Sequence, residues 1–202
     1  AHIINVFKNF KIISIVINTF QSVSGPGNNG VYELENQYKN FFLKNNISSI
    51  SFKEPIFLNL LPYIPDRSLI DNKGFSEEEE KIHSELLKVL KKTDIKYYIN
   101  CTRVPIINCH SFFLNFFFDQ KINLEEIIKI INLNKNIKIL NDNVNNIFPN
   151  PFYSNFTDLI LLGRIKVKQN SLSFFCCANN LRFGTILNVM KITDYLIKNF
   201  NK

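Results

Sequence analysis

The segment KIISIVINTF (residues 11–20) limits the fold more than any other stretch. It is short, β-branched and continuously apolar, the pattern of a buried strand. It stops at QSVSGPGNNG (21–30), where glycines and a proline make a turn whose backbone N–H groups are free to face a ligand. Apolar residues then recur at helical spacing (Val31, Leu34, Tyr38, Phe41 and Phe42), which predicts a helix from Val31 to about Leu43. A loop-rich passage, FKEPIFLNLLPYIPDRSLIDNKG, leads to a well-signalled helix. There Ser76 and Glu79 form a capping box, acidic residues crowd the first turn, and Ile82, Leu86, Val89 and Leu90 supply one apolar face.

Strands are predicted near 95–101 and 111–118, followed by a helix near 123–133 and a short strand at 137–140. Two further strands, 159–167 and 171–178, precede a last helix from about Gly184 to Phe200. Strands outnumber helices and many are hairpin-like neighbours. The expectation is therefore an α+β domain spanning 1–202, with a mixed, largely antiparallel sheet packed by helices. No GxGxxG follows a strand with an acidic residue downstream, so an N-terminal Rossmann domain is expected to be absent.

A chain of 202 residues buries roughly 70% of its unfolded surface, so its core needs no disulfide staples. The formal charge is +7, but the lysines are scattered, and the densest run, KVLKK, shares a helix with SEEEEK. That is a solvated face, and no nucleic-acid partner is expected. No apolar run reaches the roughly 18–20 residues of a membrane span, and the N-terminus lacks a signal pattern. Cys101, Cys109, Cys176 and Cys177 show no CxxC or His/Cys metal spacing. They are expected to be buried, reduced thiols in a cytoplasmic protein without a metal.

Several side chains stand out chemically. Arg103 offers a planar fork for a carboxylate or phosphate, and His110 exchanges a proton near neutral pH. Glu78 and Lys81, three residues apart on the capped helix, present opposite charges, although such a pair is ordinarily a solvated one. Gln21 sits at a strand end beside the glycine turn. Cys109 and His110 form a nucleophile–base pair only on paper, because neighbours on an extended chain point to opposite sides.

Six motifs in chain order connect these positions: NTFQSVSGPG (18–27), NLLPYIPD (59–66), GFSEEEEKIHSELLKVL (74–90), CTRVPIINCHS (101–111), LLGRIKV (161–167) and ANNLRFGTILNVMKITDYL (178–196). In order and spacing they resemble the C-terminal two-thirds of aspartate-semialdehyde dehydrogenases, whose usual forms look like TYQAVSGAG, NVIPxID, TxEExK, CxRVPVxxGHS, VGRIR and DNLRKGAALNxVQIAE. The resemblance implies the C-terminal fold of glyceraldehyde-3-phosphate-dehydrogenase-like enzymes, a dimer paired through the sheet, and NADP as cofactor. It also implies the reaction of L-aspartyl 4-phosphate, NADPH and a proton to give aspartate semialdehyde, NADP and phosphate. By the same likeness, Gln21 orients the acyl intermediate, Arg103 grips the substrate carboxylate, Glu78 meets its α-ammonium, Lys81 helps hold the phosphate, and His110 is the acid/base. Ser24, Gly25 and Asn180 are then placed near the nicotinamide.

The sequence also departs from that pattern. The family's nucleophilic cysteine belongs to an N-C-[ST]-T motif, and this chain, opening AHIINVF, has none. The expectation is that the thiol and an NADP-binding half lie upstream and that this chain alone does not turn over. Cys109 stands where glycine is usual, Asn179 where aspartate is, and Phe183 where lysine is. Phe112, Phe113 and Phe117 replace polar or acidic residues. An inactive dimerisation remnant of such an enzyme and the related N-acetyl-glutamyl-phosphate reductase are the alternatives.

Overall fold

The computed structural model describes residues 1–65, 70–91 and 94–200, so Asp66 of NLLPYIPD and Lys92 of KVLKK lie outside the described residues. In chain order the elements are α1 (His2–Val6), β1 (Ile12–Gln21), α2 (Asn28–Phe42), α3 (Glu77–Leu90), β2 (Lys96–Arg103) and β3 (His110–Phe118), followed by α4 (Leu124–Asn132), β4 (Ile137–Ile139), α5 (Pro151–Ser154), β5 (Ile160–Lys168), β6 (Ser171–Ala178) and α6 (Leu187–Phe200). The strands form one mixed sheet in the order β2-β1-β3-β6-β5-β4. The β1–β2 and β4–β5 pairs are parallel, while β1–β3, β3–β6 and β5–β6 are antiparallel.

Side chains alternate across the sheet, and one face carries the main core. Ile15 and Ile17 of β1, Leu114, Phe116 and Phe118 of β3, and Leu172 and Phe174 of β6 are buried against α1, α3 and α4. Four phenylalanines anchor it: Phe116 stacks on Phe174 at 5.7 Å and on Phe118 at 6.1 Å, and Phe7 meets Phe116 at 5.1 Å. Removing one such ring costs about 3–5 kcal/mol. On the other face, α5 covers the β6 end, where Ser154 Oγ lies 2.8 Å from Cys177 Sγ. Across β2, β1 and β3 that face stays open: Ile13, Tyr98 and Phe117 are exposed, and Phe20, Phe113 and Phe175 form a half-buried row with centroids 6.4 and 5.0 Å apart.

Two expectations are corrected. The helix after the glycine turn begins at Asn28 rather than Val31, and the face it buries is largely polar: Glu33 and Gln37 are buried beside Leu34, while Tyr38, Phe41 and Phe42 are exposed. The reason is hydrogen bonding. The Glu33 carboxylate accepts the N–H groups of Ile50 and Ser51, and Gln37 Oε1 accepts those of Ile56 and Phe57 at 2.9 and 3.0 Å. These two polar side chains hold a loop that has no ladder of its own, which is how buried polar groups are tolerated. The last helix starts at Leu187 rather than Gly184, because Arg182–Ile186 is an irregular kinked stretch with Gly184 at φ 82°.

Candidate functional site

The ends of four neighbouring strands bring the candidate residues into one row. Gln21 closes β1 and pairs in register with Arg103, the last residue of β2. Phe20 pairs with Ser111, so Gln21 and His110 are the next facing positions, and His110 in turn pairs with Ala178 of β6. Strands lie about 4.8 Å apart and paired residues point to the same side. Arg103, Gln21 and His110 therefore stand side by side on the helix-covered face. Arg103 and Gln21 are buried, and His110 is half-buried.

The loops after the strands complete this corner. Ser22 is fully buried; its carbonyl accepts from Arg103 Nη1 at 2.8 Å, and its N–H donates to His110 Nδ1 at 3.1 Å. Val23 and Ser24 donate to the carbonyls of Ile106 and Ile107 at 2.9 and 3.1 Å, which ties the glycine turn to the Val-Pro loop. Asn180 Oδ1 accepts the Cys109 N–H at 2.9 Å, and its Nδ2 donates to Ser24 Oγ at 2.9 Å. A Cβ at Gly25 would lie 2.7 Å from Arg103 Nη1, so a side chain there would displace the guanidinium.

The first turn of α3 reaches the same end of the sheet through Glu79. One carboxylate oxygen accepts the Ser76 N–H and the other the Cys101 N–H, both at 2.8 Å. Leu61 pairs with Arg103 through bonds of 2.8 and 3.1 Å, and Ile64 O accepts the Glu78 N–H at 2.9 Å. The NLLPYIP segment thus bridges Arg103 and Glu78. Glu78 and Lys81 pair with each other at 3.4 Å, with 21% and 58% of their side chains exposed.

A cavity of about 560 Å³ opens between the sheet, α1 and α3, with His110, Gly25, Asn180, Phe112, Phe183 and Ile82 among its walls. Gln21, Arg103, Glu78 and Lys81 are not part of its lining. The structure therefore gathers Gln21, Ser24, Gly25, Arg103, His110 and Asn180 at one corner, with Glu78 and Lys81 on the adjoining helix turn. Burial and the nearby Arg103 cation push the His110 pKa down to about 4. Burial, with the Cys177 thiol adding to it, pushes the Cys109 thiol up to about 12, which removes it as a nucleophile at neutral pH.

Sequence reasoning missed Ser22 and Glu79. Glu79 was visible only as a helix cap, and its second partner lies on a distant strand. Ser22 stands where the resembled motif has alanine, and that hydroxyl was the available signal. The departures also find places. Cys109 has φ 77°, a left-handed conformation suited to glycine. Asn179 Oδ1 accepts the Leu181 N–H at 3.0 Å, a bond aspartate would make equally. Phe183 packs edge-on to His2 at 5.8 Å.

The fold is that of the C-terminal domain of glyceraldehyde-3-phosphate-dehydrogenase-like enzymes, with its polar corner at the strand ends. The chain belongs to the semialdehyde dehydrogenase, dimerisation domain family, whose model matches residues 5–183. The aspartate-semialdehyde dehydrogenase of Helicobacter pylori (strain ATCC 700392 / 26695) is 29% identical, over 95% of this chain and 58% of its own length. That of Rickettsia conorii is 31% identical, over 94% of this chain and 56% of its own. A structure of a probable aspartate-semialdehyde dehydrogenase from Pseudomonas aeruginosa superposes with a TM-score of 0.89 at 20% identity, over 98% of this chain and 59% of that one; at this identity the likeness shows the fold alone. The chain thus spans a little over half the length of the curated relatives it matches.

Proposed function

We propose that this chain supplies the substrate-binding, proton-handling and self-association part of an aspartate-semialdehyde dehydrogenase. The enzyme would reduce L-aspartyl 4-phosphate with NADPH and a proton to aspartate 4-semialdehyde, releasing NADP and phosphate. The observation that carries this reading is the row of Arg103, Gln21 and His110 across adjacent strand ends. It sets a carboxylate-binding fork, an amide and an imidazole side by side, with His110 in the cavity wall and Arg103 and Gln21 buried beside it.

In this reading Arg103 binds the substrate carboxylate and Gln21 orients the acyl group beside it. Glu78 meets the α-ammonium, Lys81 neutralises the phosphate, and His110 handles the proton. NADP, when bound, supplies hydride chemistry. The corner fits its nicotinamide end: Gly25 and Asn180 are in the cavity wall, Ser24 holds the Asn180 amide in place, and Asn180 keeps a second amide N–H beyond the one given to Ser24.

The attacking thiol and the dinucleotide-binding half are assigned to a further segment or partner. Two observations support this: the relatives run well beyond the matched region, and α6 has no buried residue while exposing Val189, Met190, Ile192, Tyr195 and Phe200. The open aromatic face of the sheet supports self-association, and the cytoplasm is the expected compartment. The test is NADPH formation from the semialdehyde, phosphate and NADP, by the chain alone and joined to the dinucleotide-binding half of the family. Turnover only in the joined form is expected; turnover by the chain alone would contradict the assignment of the thiol.

A further inference from the structure

Ser22 lies between the chemical groups of the corner, and every polar atom it has is engaged there. Its carbonyl takes Arg103 Nη1 at 2.8 Å, and its N–H donates to His110 Nδ1 at 3.1 Å. Its hydroxyl lies 3.1 Å from that same nitrogen, 3.1 Å from Ser24 Oγ and 3.2 Å from Asn180 Oδ1. A peptide N–H can only donate, so Nδ1 must carry the lone pair and the neutral ring must hold its proton on Nε2. Among the described residues Nε2 has no hydrogen-bond partner, and the ring forms part of the cavity wall.

We propose that the main-chain N–H of Ser22 fixes His110 as the Nε2–H tautomer, so that the ring first meets the substrate as a hydrogen-bond donor. The alternative, a ring waiting as a base at Nε2, requires its proton on Nδ1. That would break the bond from Ser22 and leave a buried N–H unpaired, a loss of the kind proteins avoid. Protonating both nitrogens breaks the same bond and adds a cation beside buried Arg103. Resting on the proposed function, the acceptor is the acyl oxygen of the substrate, which gains negative charge when the carbonyl carbon is attacked or reduced. Ser22 is in this sense a positioning residue: it acts through His110 and touches no substrate.

The tautomer can be read directly in the 202-residue chain by long-range proton–nitrogen correlation NMR with 15N-labelled histidine. The His110 signals are identified by their loss in His110→Gln, leaving those of His2 and His83. The expected result is a pyridine-type Nδ1 and a protonated Nε2, unchanged from pH 8 down to pH 5. Ser22→Ala keeps the peptide N–H and restores the alanine of the resembled motif, so it should show the same tautomer. A protonated Nδ1 or an averaged pair of signals in the wild-type chain would overturn the proposal. A switch of tautomer in Ser22→Ala would move the lock to the hydroxyl and overturn the main-chain assignment. None of these readouts depends on turnover, so failure of the proposed reaction would show separately, in the NADPH assay.

Discussion

Gly25 and Arg103 are in steric register: the guanidinium occupies the space a side chain at residue 25 would need, 2.7 Å from the position of its Cβ. Gly25→Ala is therefore expected to displace the fork from the Ser22 carbonyl it now meets at 2.8 Å. Losing a charge-assisted bond inside a packed corner costs about 1.5–3 kcal/mol. The denaturant midpoint should fall accordingly, and substrate affinity should fall by about 10-fold or more.

His110 makes stability depend on pH. Its pKa is lowered from 6.5 to about 4 in the folded chain, so the unfolded chain binds the extra proton between those values. Its contribution is fully present above pH 6.5 and is lost as pH falls towards 4, by no more than about 3 kcal/mol. Unfolding of the wild type and of His110→Gln, compared from pH 7 to 4, should show a shallower pH slope for the variant. Equal slopes would contradict burial of the neutral ring.

Glu79 is expected to matter more than a helix cap does. Glu79→Ala leaves the Ser76 and Cys101 N–H groups without their acceptor, a loss of about 2 kcal/mol or more. A cap alone contributes about 1 kcal/mol. Amide exchange at Cys101 separates the two readings, because only the tie to β2 predicts faster exchange there.

The Phe20–Phe113–Phe175 row should be the self-association surface. Phe113→Asp would place a charge at its centre and convert a dimer to monomer at micromolar concentration, as read by sedimentation. A wild-type chain that sediments as a monomer would remove this role from the sheet.

How much of this was legible in the sequence varied with the physics involved. The strands were legible because β-branched and aromatic runs alternate with turn signals, and each predicted strand appears within about two residues. Arg103 and His110 were placed just outside their strands, whereas each occupies a terminal pair of a ladder. That difference is what lines them up with Gln21. Which face of α2 is buried was not legible, because helical spacing cannot show that a distant loop needs Glu33 and Gln37 as acceptors. Ser22 was illegible for the same reason, since its partners lie 81, 88 and 158 positions away. Long-range polar pairing leaves no periodic trace.

Binding of the substrate by the strand-end row is read by titrating the chain with aspartate 4-semialdehyde while following its amide NMR signals. Shifts should localise to Gln21, Ser22, Arg103 and His110. They should be lost in Arg103→Leu and weakened about 10-fold or more in Arg103→Lys, which keeps the charge but not the fork. Shifts centred elsewhere, or binding unchanged in both variants, would remove substrate binding from this row.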